Sequence, residues 1–136
     1  MELDQKRVYE FHEKYGFARG MAKRWPQMFD EASWNAIGLQ RAQLMTEEVG
    51  EFILAWGQRD LVKIMDGLGD LAYVTFGSAV AIGADLAPIF REIHESNMSK
   101  DVGNYKNIIH PVKGANFKQP RVRELLLAQG FDPRVL

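Results

Sequence analysis

Five carboxylates fall inside the two longest stretches of helical apolar spacing in this chain, and no other feature constrains its fold as much. Glu47, Glu48 and Glu51 lie in the segment Glu47-Glu48-Val49-Gly50-Glu51, and Asp66 and Asp70 follow 15 and 19 residues after Glu51. Acidic side chains are rarely buried unless they are paired or bound to metal. On a helix, Glu48 and Glu51 stand three apart, and Glu47/Glu51 and Asp66/Asp70 stand four apart, so each pair shares a face. Two such faces meeting across a bundle make a site of oxygen ligands only, which suits Mg²⁺ or Mn²⁺. Metal-assisted attack of water on a phosphate is the chemistry that follows.

The apolar spacing defines the helices that carry these acids. Leu39, Ala42, Met45, Val49, Phe52 and Trp56 recur three and four apart, which predicts a helix over 34–56 with one buried stripe. Leu61, Ile64, Met65, Leu68, Leu71, Ala72, Thr75, Phe76 and Ala79 make the next helix, 61–81, apolar over much of its circumference, with Asp60 placed to cap it. Such a helix belongs in the middle of a bundle or at a subunit interface, and its broad apolar surface predicts at least a dimer. Gly67, Gly69 and Gly77 each cost it roughly 1 kcal/mol against alanine, which points to a close neighbouring backbone or room for a ligand.

Val8, Phe11 and Tyr15 set a short amphipathic helix over 3–15 that Gly16 ends. Asp85 caps a fourth helix, with Pro88 in its first turn, that runs to about Asn97. Residues 99–119 read as a long polar loop, and Pro120 opens a last short helix over 121–129. No segment alternates with period two. The expected class is all-α: a four-helix-bundle core with an N-terminal helix and a short C-terminal helix, in an oligomer.

Glu-Glu-x-x-Glu taken alone is common on solvated helix faces. Here Val49 and Phe52 bring the apolar stripe alongside Glu48, and Asp66 and Asp70 lie in a helix with little room for a solvated face. Like charges four apart destabilise a helix by a few tenths of a kcal/mol, and a cation would neutralise that penalty on both helices. Di-iron carboxylate bundles use Glu-x-x-His pairs. No glutamate stands three before His12, His94 or His110, so phosphoryl chemistry with Mg²⁺ is the better fit.

Composition narrows the setting. A chain of 136 residues favours one domain over 1–136, and a formal charge of −1 offers no basic field for nucleic acid. The absence of cysteine excludes disulfides, zinc-thiolate sites and thiol nucleophiles. The N-terminal segment lacks the apolar core of a secretion signal, and the apolar run 68–84 is broken by Asp70 and three glycines. A soluble cytoplasmic protein with no membrane partner is expected.

Four segments in order, EEVGE, DGLGDLAYVTFGSAVAIGAD, HESNMSK and VKGANFKQP, resemble the MazG-like all-α nucleoside triphosphate pyrophosphohydrolases. The nearest likeness is the branch labelled phosphoribosyl-ATP pyrophosphohydrolase-like. The likeness covers about 8–120 and leaves 121–136 as a C-terminal extension. It implies a dimer or tetramer that cleaves a nucleoside triphosphate to the monophosphate and pyrophosphate with Mg²⁺ or Mn²⁺, and the carboxylates are expected to hold two or more such ions per site. By position it implies Glu48, Glu51 and Asp70 as metal ligands, with Asp66 supplying one more. Asn97, Lys100 and Lys113 then reach the phosphates. Glu47 and Glu48 are both candidates for orienting or deprotonating the water. The family's second motif is commonly Glu-x-x-Asp, but Gly67 stands three before Asp70 and Lys63 three before Asp66. Lys63 is placed to pair with Asp66 and weaken the site.

Base selection must come from outside the acidic cluster, and the aromatics near the N-terminus, Phe11, Phe17, Trp25 and Trp34, are available to stack on a base. Phe17 and Trp25 are the base-stacking candidates, with Trp25 favoured for its loop setting. Phe11 and Trp34 read first as core residues. Asn35 reads as a helix-start residue and Gln40 as solvent-facing. Control of a (deoxy)nucleotide pool is the leading function. The alternatives are a phosphoribosyl-ATP pyrophosphohydrolase and a non-catalytic binding bundle with a degraded site.

Overall fold

The structure is a computed structural model that describes residues 2–24, 31–105 and 108–136. Among these, five α-helices, two 3₁₀ turns and one β-hairpin follow in order. Helix α1 covers Leu3–Tyr15, as the sequence predicts, and Gly16 ends it in the left-handed region at φ 72°. A 3₁₀ turn, Met21–Arg24, precedes α2, Glu31–Gln58. Helix α2 starts earlier and ends later than its apolar stripe. The break falls on Arg59, at φ 56°.

Helix α3, Leu61–Ile82, opens on Asp60, whose side chain accepts from the Lys63 amide. Two residues separate α2 from α3, so the two run back to back. Gly67 closes them together: a Cβ there would lie 3.5 Å from Cα and Cβ of Phe52. Helix α1 lies across α3. Gly83 ends α3 at φ 97° directly over Gly20, where a Cβ would stand 2.6 Å from Gly20 Cα, so a side chain is excluded by conformation and by space.

Helix α4, Leu86–Met98, is capped by Asp85 and turns 116° away from α3. The single chain therefore does not close a four-helix bundle. Helices α1, α2 and α3 pack together, and α4 packs on α5, Val122–Ala128. A small core fills the corner, where Ala22, Ala84, Ile89 and Phe131 meet Leu86, Val122, Leu125 and Leu126. The C-terminal segment thus seals this corner.

Two expectations are corrected. The loop over 99–119 contains an antiparallel hairpin, β1 Asp101–Tyr105 and β2 Ile108–Val112, in which Gly103 faces His110. Its strands are short, and Val102 and Ile109 are both exposed, so no buried face imposes alternation. The α2 stripe is also not buried in the single chain. Leu39, Val49 and Trp56 are exposed, because α3 covers only one side of α2 and Ala55 is its one fully buried residue. Among the described residues, no single helix is long and apolar enough to cross a membrane.

Candidate active site

A cleft of about 330 Å³ opens between α1, α2 and α3. Helix α2 contributes Gln40, Arg41, Leu44 and Glu48, and α3 contributes Asp70, Tyr73 and Val74. Phe11 and His12 of α1 and Phe17 of the following turn complete it. Spacings of three, four and seven put the α2 residues on one face. Arg41 and Glu48 lie two helical turns apart, about 10.5 Å along the axis.

One end is acidic. Partial burial raises the Glu48 carboxyl above its ordinary range, and the charges of Asp70, Glu51, Glu47 and Asp66 push it further the same way. The five acids picked from the sequence therefore share one field, although only Glu48 and Asp70 line the cleft. Lys63 pairs with Asp60 at 3.7 Å rather than with Asp66, so that lysine does not neutralise the group.

Among the described residues, no three histidine or acidic side chains converge tightly enough to hold an ion alone. Mg²⁺ does not require this, since it keeps several waters and is held by one or two carboxylates plus substrate phosphates. The all-oxygen donor set and its mutual repulsion fit such an ion.

The other end is aromatic. Phe11 stacks on Phe17 at 5.8 Å between centroids and meets Tyr73 edge-on at 5.5 Å. Tyr15 lies 4.7 Å from Phe11. Phe17 is thus brought to the cleft, and so is Phe11, which the sequence reads first as core. Trp34 lines a separate apolar hollow with Met21 and Ile37. Trp25 lies outside the described residues.

The polar residues expected at the phosphates lie elsewhere in the single chain. Asn97 and Lys100 bond to each other at the end of α4, with Nζ donating to Oδ1 over 2.8 Å. Lys113 sits over the Phe117 ring at 4.9 Å. None of the three lines the cleft.

Several cleft residues escaped the sequence reading, Tyr73 among them, and two of these, His12 and Arg41, bring side-chain nitrogens. His12 is buried, and its Nδ1 donates to the Ala18 carbonyl over 2.9 Å. Burial lowers its pKa below the ordinary 6.5; the bond to Ala18 opposes this, and the charges of Arg41 and Arg19 reinforce it. Arg41 donates from Nη2 to the Val74 carbonyl over 3.1 Å and from Nε to Ser78 Oγ over 3.3 Å. Burial lowers its pKa too, and among the described residues it has no carboxylate partner. Gly77 makes room for both residues: a Cβ there would stand 2.6 Å from Arg41 Nη2 and 3.1 Å from His12 Nε2.

A larger hollow of about 440 Å³ lies at the α1, α3 and α4 corner. Its two cations are already engaged, Arg19 with Glu13 and Lys23 over the Phe131 ring. The C-terminal arginines are engaged as well: Arg121 with Glu92, Arg134 with Asp132, and Arg123 with the Leu136 carbonyl.

A helical chain with a carboxylate end and an aromatic end in one cleft has the parts of a hydrolase for phosphate-bearing aromatic substrates. Residues 14–97, more than half of the chain, match the Phosphoribosyl-ATP pyrophosphohydrolase (PRA-PH) family, and the chain belongs to that family. The family sits within the MazG-like all-α superfamily that the sequence motifs resemble. No curated protein matches the chain. The matched span includes all five acids and Arg41 but begins after His12.

Proposed function

We propose that this chain hydrolyses the α–β phosphoanhydride of a nucleoside triphosphate group and releases pyrophosphate. Phosphoribosyl-ATP is the substrate that family membership supports best, ahead of the general nucleotide-pool role favoured from the sequence. The observation that carries the reading is the shared cleft. Glu48 and Asp70 stand at one end, and Phe11, Phe17 and Tyr73 stand at the other.

Glu48 and Asp70 would hold Mg²⁺ or Mn²⁺ together with substrate phosphates and water, and Glu51 and Asp66 are the further ligands proposed from the sequence. The ion would polarise phosphoryl oxygens, acidify water and stabilise the departing pyrophosphate. Glu48 is the better of the two candidate bases, because it faces the cleft and Glu47 does not. The aromatic end holds the base and excludes water from one side. Asn97, Lys100 and Lys113 keep a phosphate-binding role only if another subunit or a moved segment brings them to the cleft.

Ordinary ribo- and deoxynucleoside triphosphates are the second reading. The favouring observation is the mainly aromatic and aliphatic far end, where, among the described residues, Arg41 is the single arginine or lysine placed to meet a second phosphate. The test is pyrophosphate release from phosphoribosyl-ATP and a nucleoside triphosphate panel, with Glu48→Gln as control. Release abolished by the substitution supports the reading and ranks the substrates. Silence on every substrate overturns it in favour of a binding role.

A further inference from the structure

Two polar groups stand in the aromatic end of the cleft, and each keeps hydrogen-bonding capacity that the protein does not use. The bond from Nδ1 to the Ala18 carbonyl requires the ring proton on Nδ1, which leaves Nε2 of the neutral ring as a lone-pair acceptor. Nε2 has no hydrogen-bond partner among the described residues, and neither has Nη1 of Arg41. No fully sealed side-chain nitrogen or oxygen among the described residues lacks a partner, so both free positions keep access to solvent; both residues line the cleft, and Arg41 borders the neighbouring hollow of Trp34 and Ser78 as well. Gly77 holds the two groups side by side, because both reach into the space its missing Cβ leaves. The far end therefore offers one donor beside one acceptor.

That pairing selects among ligands. A phosphate oxygen would meet the lone pair of His12 as well as the guanidinium, so a dianion is a poor match. The major-groove edge of adenine presents an acceptor, N7, beside a donor, the exocyclic N6 amino group. Guanine presents two acceptors on that edge, and one would face the His12 lone pair. The separation suits a nucleotide, since Arg41 lies about 10.5 Å along α2 from Glu48, where the triphosphate must sit. In phosphoribosyl-ATP the added ribose sits on N1, which leaves the N6/N7 edge free.

We infer that Arg41 and His12 read the N6/N7 edge of an adenine base, with Nη1 of Arg41 donating to N7 and Nε2 of His12 accepting from the N6 amino group. This rests on the reading of the cleft as a nucleotide site. It does not require turnover, so its test is equilibrium binding.

Calorimetric titration compares AMP with 7-deaza-AMP, which lacks the N7 acceptor, and with IMP, which carries an oxygen in place of the amino group. On the wild type, each change is expected to weaken binding about tenfold, the loss of one hydrogen bond in a desolvated site. Arg41→Met is expected to abolish the 7-deaza penalty and keep the IMP penalty. His12→Asn, whose amide can still donate to Ala18, is expected to do the reverse. Equal affinity for the three nucleotides on the wild type overturns the inference, and so does the absence of AMP binding. Penalties that persist unchanged in folded variants overturn the two assignments. The comparison on the wild type alone stands even if a variant fails to fold. Base discrimination without pyrophosphate release would uphold this inference while removing the hydrolase reading.

Discussion

Glu48 carries a negative charge among four others, and the folded chain bears the resulting repulsion. Glu48→Gln keeps the shape and removes the charge. In chelator-treated protein this substitution is expected to raise stability by a few tenths of a kcal/mol, the scale of like-charge pairs on helices. The same protein should lose pyrophosphate release and the stabilisation that Mn²⁺ gives the wild type. Thermal melts with chelator and with Mn²⁺ check both. A variant as active as the wild type would remove Glu48 from the site. His12 supplies a second test. Its folded pKa lies below 6.5, first because of burial and then because of Arg41 and Arg19, against the pull of Ala18. The unfolded chain takes up this proton near the ordinary value, and the folded chain only at lower pH. The contribution of the neutral ring is therefore complete above about pH 6.5 and is lost as pH falls through the folded value. Urea midpoints measured from about pH 7 down to about pH 5 should fall more steeply for wild type than for His12→Asn. Parallel curves would show that this ring titrates alike in both states.

Gln5 shows how one side chain ties elements together. It is 1% exposed, its amide donates to the Ala84 carbonyl over 2.6 Å, and its oxygen accepts from the Leu86 amide over 2.9 Å. It thereby fastens α1 to the α3–α4 corner, from which α1 presents Phe11 and His12 to the cleft. Gln5→Leu keeps the volume and strands both backbone groups, at about 1–3 kcal/mol for each group left unsatisfied. A loss of about 2 kcal/mol or more in chemical denaturation is expected, and a neutral result would mean that water replaces the amide. Gln5, Val8 and His12 are the buried face of α1, whereas the apolar reading chose Val8, Phe11 and Tyr15. The helix itself was legible because either stripe has helical spacing. Which face is buried was not, because two of the three inward residues are polar: Gln5 is satisfied by backbone 79 and 81 residues away, and His12 by the Ala18 carbonyl in the turn that follows the helix. The caps Asp60 and Asp85 were legible for the opposite reason, since each bonds an amide two or three residues away. The acids were legible through their spacing. Arg41 was not, because an arginine seven before a glutamate is ordinary until α1 brings His12 against it.

The molecule as a whole exposes more large apolar side chains than its own core uses. Ile53, Leu54 and Trp56 near the end of α2 and Leu61, Val62 and Met65 at the start of α3 are all exposed, Val62 at 80%. They cluster around the α2–α3 turn. Contiguous exposed apolar surface on a chain this small marks an association surface. A second copy of this chain is the proposed partner, because a self-complementary patch closes as a two-fold dimer without a further component. The same association would supply the fourth wall that the 116° turn of α4 denies the single chain. Light scattering is expected to give at least a dimer at micromolar concentration. Val62→Glu places a charge in the patch without touching the cleft, and it should shift the protein toward monomer and lower its melting temperature. If the cleft is complete in one chain, dilute monomeric Val62→Glu will still bind AMP with wild-type affinity while releasing pyrophosphate more slowly. If AMP binding falls in step with dissociation, the partner helps to build the base end itself. A wild-type chain that stays monomeric and stable would mean that this apolar surface serves a different partner.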